Sequence, residues 1–279
     1  MDAELELCCG TVGRASLPDL IEIGAAAGFG AVTANPTLYA QAGLSDGALQ
    51  ARLSDAGVRV SNIDGFGSGL PGIPTGEAIA PYQFFHERDV RRTFLTPEDD
   101  FYRAAEALGA QSVNLVHFAG DPATPFDAIV EAASGICERA ARRGLRIVIE
   151  FLPGTAVPDI GAAAALVEAV GAPNFAIMFD TRHLARSGGG TQDVERHAAH
   201  IGGVQLSDLR LATLDDPNRL LPGEGDLPLT EILAHLARIR PRPPIGIEVF
   251  SSALDAMTPR DAAQAAADSL RRVLRDIPG

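Results

Sequence analysis

Short apolar runs rich in β-branched residues recur at intervals of about 30 residues, separated by stretches with helical periodicity. Eight such runs stand out: Leu5 to Cys9, Ala31 to Ala34, Val58 to Ile63, Ser112 to Phe118, Arg146 to Phe151, Phe175 to Asp180, Gly203 to Ser207 and Pro244 to Phe250. Arg146-Ile147-Val148-Ile149-Glu150 and Ile245-Gly246-Ile247-Glu248-Val249 are almost continuously apolar until a carboxylate near their ends, as strands covered on both faces read. Between the runs, Phe126, Ile129, Val130, Ala133, Ile136, Cys137 and Ala140 share one helical face, and Leu270, Val273, Leu274 and Ile277 share another. Helix starts are expected at Thr96-Pro97, Thr124-Pro125 and Thr258-Pro259, where Thr can cap free amides and Pro suits the first turn.

Strands alternating with helices, eight of each in 279 residues, predict a (β/α)8 barrel filling residues 1–279 as one domain; an open doubly wound sheet is the lesser alternative. The longest gap, about 64–97, leaves the C-terminal end of the third strand and contains Tyr82-Gln83-Phe84-Phe85-His86. It is expected either to cover a substrate or to pack as a surface loop.

Composition narrows the chemistry. The formal charge is −13, and all 23 basic residues are Arg. Without a Lys amine, Schiff-base aldolases, pyridoxal phosphate enzymes and P-loop nucleotide hydrolases are excluded. The acidic balance argues against a nucleic-acid partner. An acidic start, Met1-Asp2-Ala3-Glu4, and the lack of a membrane-length apolar run lead to the expectation of a soluble, cytoplasmic protein with no membrane partner. Three Cys, two of them adjacent at Cys8 and Cys9, read as reduced thiols.

Strand ends carry the candidate site. Glu150 closes the fifth run, Asp180 the sixth, Glu248 lies near the end of the eighth, and Gln205 sits within the seventh. Singly, each carboxylate could be a salt-bridge partner or a helix cap. Three converging at a barrel mouth would repel one another and lose hydration, and a divalent cation resolves both problems.

The segments Ile149-Glu150, Phe179-Asp180-Thr181-Arg182-His183, Gln205-Leu206-Ser207-Asp208, Arg219-Leu220-Leu221-Pro222-Gly223-Glu224-Gly225 and Ile247-Glu248-Val249 occur in the order and spacing of a known family. The chain resembles the sugar phosphate isomerase/epimerase family, xylose isomerase-like barrels of the AP endonuclease family 2 superfamily, over almost its whole length. The resemblance implies metal ligands at Glu150, Asp180, Gln205 and Glu248, with Gln205 standing where most members carry His. An amide there leaves an all-oxygen shell, which favours Mn²⁺ or Mg²⁺ over Zn²⁺. It further implies that Glu150 and Glu248 exchange a proton with opposite faces of the substrate, and that His183 and Arg219 touch substrate oxygens. For His183, orienting Asp180 is the alternative role; for Arg219, an ion pair with Asp215 or Asp216. His117, His86 and Glu224 are further candidates for substrate binding, each with a structural alternative, and His197, His200 and His235 read as structural or exposed.

The expected function is a divalent-metal-dependent isomerase or epimerase that abstracts a proton next to a carbonyl on a sugar, cyclitol or related polyhydroxy small molecule. The alternative is a metal-dependent dehydratase of the inosose or 3-dehydroshikimate type, and a non-catalytic sugar-binding barrel stands behind both. A homo-oligomer is compatible with the sequence.

Overall fold

The computed structural model describes residues 3–74, 96–240, 242–275 and 277. Eight parallel strands, β1 (Leu5–Leu7), β2 (Ala31–Ala34), β3 (Arg59–Phe66), β4 (Ser112–Val116), β5 (Arg146–Glu150), β6 (Phe175–Asp180), β7 (Ile201–Leu206) and β8 (Ile245–Ile247), pair in chain order. β8 closes on β1 through Leu5↔Ile245, Glu6↔Gly246 and Leu7↔Ile247. The architecture is a closed (β/α)8 barrel, as the spacing of apolar runs predicts. The described helices are α1 (Leu17–Ala27), α2 (Pro36–Ala40), α3 (Asp46–Ala56), α4 (Glu98–Leu108), α5 (Phe126–Ala141), α6 (Ile160–Val170), α7 (Thr181–Arg186), α8 (Thr191–His197), α9 (Leu229–Leu236), α10 (Ser252–Asp255) and α11 (Pro259–Arg275). None among the described residues is long and apolar enough to cross a membrane.

The main core lies between strands and helices. Leu7, Val32, Ile63, Leu115, Ile149, Phe179, Leu206 and Ile247 point outward into it, with Leu20 of α1, Ile136 of α5 and Leu270 of α11. Because strand side chains alternate, Glu6, Asn114, Glu150, Asp180 and Gln205 turn the other way, into the barrel. The inward face is therefore unusually polar, with Val148, Ala176 and Met178 forming a small separate apolar cluster. Gly246 makes room for this arrangement: a Cβ there would stand 2.8 Å from Glu6 Oε1 and 2.5 Å from the Val204 carbonyl oxygen.

The helix starts depart from expectation in two of three places. Thr258 caps α11, accepting from the Asp261 amide at 3.2 Å. Before α4 and α5 the capping position is instead Pro97 and Pro125, with no side-chain cap. There Thr124 Oγ1 donates to the Asp121 carbonyl at 2.7 Å, closing the preceding turn. The α5 face is buried at Ile129, Ala133, Ile136, Cys137 and Ala140, but Phe126 is 45% exposed because it opens the helix before the first turn meets the barrel. Cys8, Cys9 and Cys137 form no disulfide among the described residues.

Of the long segment after β3, residues 67–74 are tied down. His117 meets the Pro71 carbonyl, and the Asp121 amide donates to the Gly72 carbonyl at 3.0 Å. His86, Phe84 and Phe85 lie outside the described residues.

Candidate active site

Glu150, Asp180, Gln205 and Glu248 all reach the C-terminal mouth of the barrel, and each is buried. Asp180 ends β6 and begins α7: its Oδ1 accepts from the His183 amide at 3.0 Å, so the helix start fixes the carboxylate. Thr181 locks the same turn to the end of β7, donating to the Ser207 carbonyl at 2.8 Å and accepting from the Ser207 amide at 2.9 Å. One turn into α7, His183 Nε2 lies 3.2 Å from Glu150 Oε1. Asn114 Nδ2 donates to Glu150 Oε2 at 2.7 Å and to Asp64 Oδ1 at 2.8 Å. Gln205 Nε2 donates to Glu248 Oε1 at 3.0 Å.

Arg219 enters from the loop after β7 and is almost fully buried. Its Nη1 donates to Asp180 Oδ2 at 2.8 Å, Glu248 Oε2 at 2.8 Å and the Glu248 carbonyl at 3.0 Å. The ion pair considered with Asp215 or Asp216 does not form. Asp215 faces Arg186, and Asp216 accepts from Asn218. Asp208 builds the loop that delivers Arg219. One of its oxygens accepts from the Gly223 and Gly225 amides at 3.0 and 2.9 Å, the other from the Leu209 and Leu227 amides at 2.9 and 3.1 Å. Gly225 permits this closeness, since a Cβ there would lie 2.2 Å from Asp208 Oδ1.

The charges are unevenly shared. Burial pushes the Glu150 carboxyl up to about 8, with the Asp180 and Asp64 charges adding to it. Burial also lifts Glu248 well above the usual carboxylate range; Arg219 opposes that lift, while Asp64, Glu150 and Asp180 reinforce it. Asp180 goes the other way: burial disfavours its charge, but Arg219, His183 and the His183 amide together hold it low. One guanidinium thus serves two carboxyls, and Asp180, which also accepts from the His183 amide, is the one held low. Burial lowers His183 to about 4, so its ring is neutral near pH 7.

Among the buried side-chain atoms of this cluster, Gln205 Oε1, Asn114 Oδ1, His183 Nδ1 and Arg219 Nε have no hydrogen-bond partner among the described residues. Glu150, Asp180 and His183 each offer a ligand atom, all within 4.8 Å of one another. A bare acceptor such as Gln205 Oε1 among carboxyls fits a divalent cation, which would satisfy lone pairs that cost energy when left bare. Glu248 stands outside that close group, drawn toward Arg219.

Among the other predicted residues, His117 is fully occupied as a clamp. Its Nε2 lies 2.8 Å from the Pro71 carbonyl, and its Nδ1 accepts from the Ala156 amide at 3.2 Å, which leaves no ring nitrogen for substrate. Burial lowers its basicity accordingly. Glu224 is exposed on the loop that Asp208 organises. His200 pairs with Glu168 at 3.0 Å, away from the mouth. The sequence reading did not single out Asp64, Asn114 or Glu6. Polar residues at inward positions of otherwise apolar strands were the available signal.

The chain matches the xylose isomerase-like TIM barrel family over residues 21–274. It belongs to that family and is an enzyme of it. It is 29% identical over 205 residues to a putative hydroxypyruvate isomerase of Streptomyces coelicolor, covering 68% of this chain and 69% of that one. It is 26% identical over 153 residues to an inosose isomerase of Halalkalibacterium halodurans, spanning 52% of this chain and about half, 54%, of that relative. Its fold is similar to that of the IOLI protein solved with a bound zinc atom, with a TM-score of 0.82 at 16% identity over 99% of both chains.

Proposed function

We propose that the chain is a divalent-metal-dependent isomerase or epimerase acting on the carbon next to a carbonyl in a sugar, cyclitol or related polyhydroxy compound. One observation supports this above the others. Two buried carboxyls with raised proton affinity, Glu150 and Glu248, flank Asp180 and the unpartnered Gln205 oxygen. β5 and β8 are three strands apart around the ring of eight, so the two side chains approach a bound molecule from different sides. A group that takes a proton on one side and a group that returns one on the other are what inversion or isomerisation beside a carbonyl needs.

Glu150, Asp180, Gln205 and Glu248 are the proposed holders of the cation, with the His183 ring within reach. The oxygen-rich set favours Mn²⁺ or Mg²⁺ over Zn²⁺. When bound, such a cation polarises a carbonyl and makes the adjacent C–H more acidic. The remaining work falls to the chain itself. Asn114 orients Glu150 through its Oε2, and Gln205 orients Glu248 through its Oε1. The neutral His183 ring stands beside Glu150 through Nε2, 3.2 Å from Oε1, at the carboxyl that would exchange the proton. Arg219 supplies guanidinium donors to substrate oxygens.

A dehydratase is the second reading, and Glu248 is compatible with it. A carboxyl whose proton affinity burial raises can give a proton to a departing β-hydroxyl as well as to carbon. The two are separated by incubating the Mn²⁺-loaded protein with a ketohexose, an inosose, hydroxypyruvate and 3-dehydroshikimate, and reading products by proton NMR. An isomer of unchanged mass is expected. A product that has lost water and gained a double bond selects the dehydratase, and binding without turnover of any of them selects the sugar-binding barrel.

A further inference from the structure

We propose that Arg219 is the resident counter-ion of this site and competes directly with the divalent cation for Asp180 and Glu248. The inference rests on the reading that the site takes such a cation. A single nitrogen, Arg219 Nη1, lies 2.8 Å from one oxygen of each carboxyl and 3.0 Å from the Glu248 carbonyl. A cation shared by the same two carboxyls needs oxygen distances of about 2.0 to 2.3 Å. A cation on the same two oxygens, Asp180 Oδ2 and Glu248 Oε2, would occupy the space that this nitrogen fills, so the two would exclude each other there.

The position of Glu248 bears this out. Glu150, Asp180 and His183 already lie close enough to hold an ion, and Glu248 is the carboxyl left outside. Its Oε2 is engaged by the guanidinium and its Oε1 by Gln205. Release of Arg219 would free Glu248 to join the other donors.

The guanidinium is held in a way that allows exchange. Among the described residues its contacts to the carboxyls run through Nη1 alone and its buried Nε has no partner, so it lacks there the two-pronged geometry that makes Arg–carboxylate pairs strong. The backbone, by contrast, is pinned. The Arg219 amide donates to the Phe250 carbonyl at 2.8 Å, and Leu220 exchanges two 2.8 Å hydrogen bonds with Asp208. Only the side chain can move, pivoting on a fixed loop. Beside it lies the Phe250 ring, whose centroid is 4.9 Å from the guanidinium carbon. Once displaced, the same donors remain at the mouth, available to substrate oxygens.

The test is calorimetric titration of Mn²⁺ into metal-stripped full-length wild type, Arg219→Met and Phe250→Leu. Arg219→Met removes the competitor, and Phe250→Leu only weakens its support. Mn²⁺ should bind at least tenfold more tightly to Arg219→Met and about threefold more tightly to Phe250→Leu, with one ion per chain in each case. Arg219→Met should also melt lower than wild type without metal and recover when Mn²⁺ is added. If it folds only with Mn²⁺, the proposal is supported, and Phe250→Leu supplies the quantitative arm. Binding in the variants alone would also support it. Equal or weaker binding in both variants, with wild type still binding, overturns the competition and leaves the metal reading intact. No Mn²⁺ binding by any of the three overturns the metal reading and the competition with it.

Discussion

Gln205 is the residue on which the chemistry of the mouth turns. Its amide nitrogen is committed to Glu248 at 3.0 Å, while its oxygen is buried and bare. If that oxygen is a metal ligand, Gln205→His exchanges an amide oxygen for a ring nitrogen. Relative affinity should then move from Mg²⁺ toward Zn²⁺ or Co²⁺ by more than tenfold, about 1.4 kcal/mol. Titration of both metals into the two stripped proteins checks this, and unchanged selectivity removes Gln205 from the ligand set. The sequence displayed Gln205 as a strand-end ligand candidate but not its division of labour, because which amide atom is satisfied depends on where Glu248 points. Arg219 was visible in the same limited sense. Its loop motif marked it as a contact residue, yet its partners come from β6 and from the residue after β8, about 30 to 40 positions away.

Among the elements, the strands were the most legible. Buried parallel strands read as apolar runs whatever their neighbours, and all eight runs became strands, with ends shifted by a few residues. The helix starts were less so. Thr-Pro is compatible with a cap, but in α4 and α5 the Pro itself took the capping position, which only the geometry of the preceding turn decides. The loop after β7 matters most to function. Asp208, buried at the end of its strand, accepts four backbone amides and thereby fixes the stretch that carries Arg219. Asp208→Asn keeps the shape but turns an NH₂ toward amides that need an acceptor. The expected loss is about 2 to 4 kcal/mol of unfolding free energy. Turnover should fall further than stability explains, because Arg219 loses its register. Chemical denaturation alongside steady-state rates would show it; wild-type stability in the variant would contradict it.

Across the whole molecule, the barrel is a helix-wrapped apolar shell around an interior lined with acids. Glu6 lies inside it on β1, hydrogen-bonded by Ser61, and burial raises its carboxyl from an ordinary 4.5 to about 7. A raised folded value means that its contribution to stability is complete below about pH 4.5 and is lost as the pH climbs through 7. Glu150, lifted to about 8 without metal, acts in the same direction. Metal-free protein should therefore weaken steadily from pH 5 to pH 8. Glu6→Gln should flatten part of that slope, gaining on the order of 3 kcal/mol over wild type at pH 8. Melting curves across that range test it, and parallel pH profiles for the two proteins would refute it. The sequence carried this interior acidity only as a polar residue, Glu6, inside the first apolar run, Leu5 to Cys9, where nothing marks the face it takes. The central claim is that the mouth of this barrel performs metal-dependent proton transfer beside a carbonyl. Its most direct test is uptake of deuterium from D₂O into a carbonyl substrate by protein that has been stripped of metal and then reloaded with Mn²⁺. Deuterium should enter only at the carbon next to the carbonyl and only after reloading, and Glu150→Gln and Glu248→Gln should each abolish it. Uptake that is undiminished in the stripped protein, or in both variants, would contradict the account.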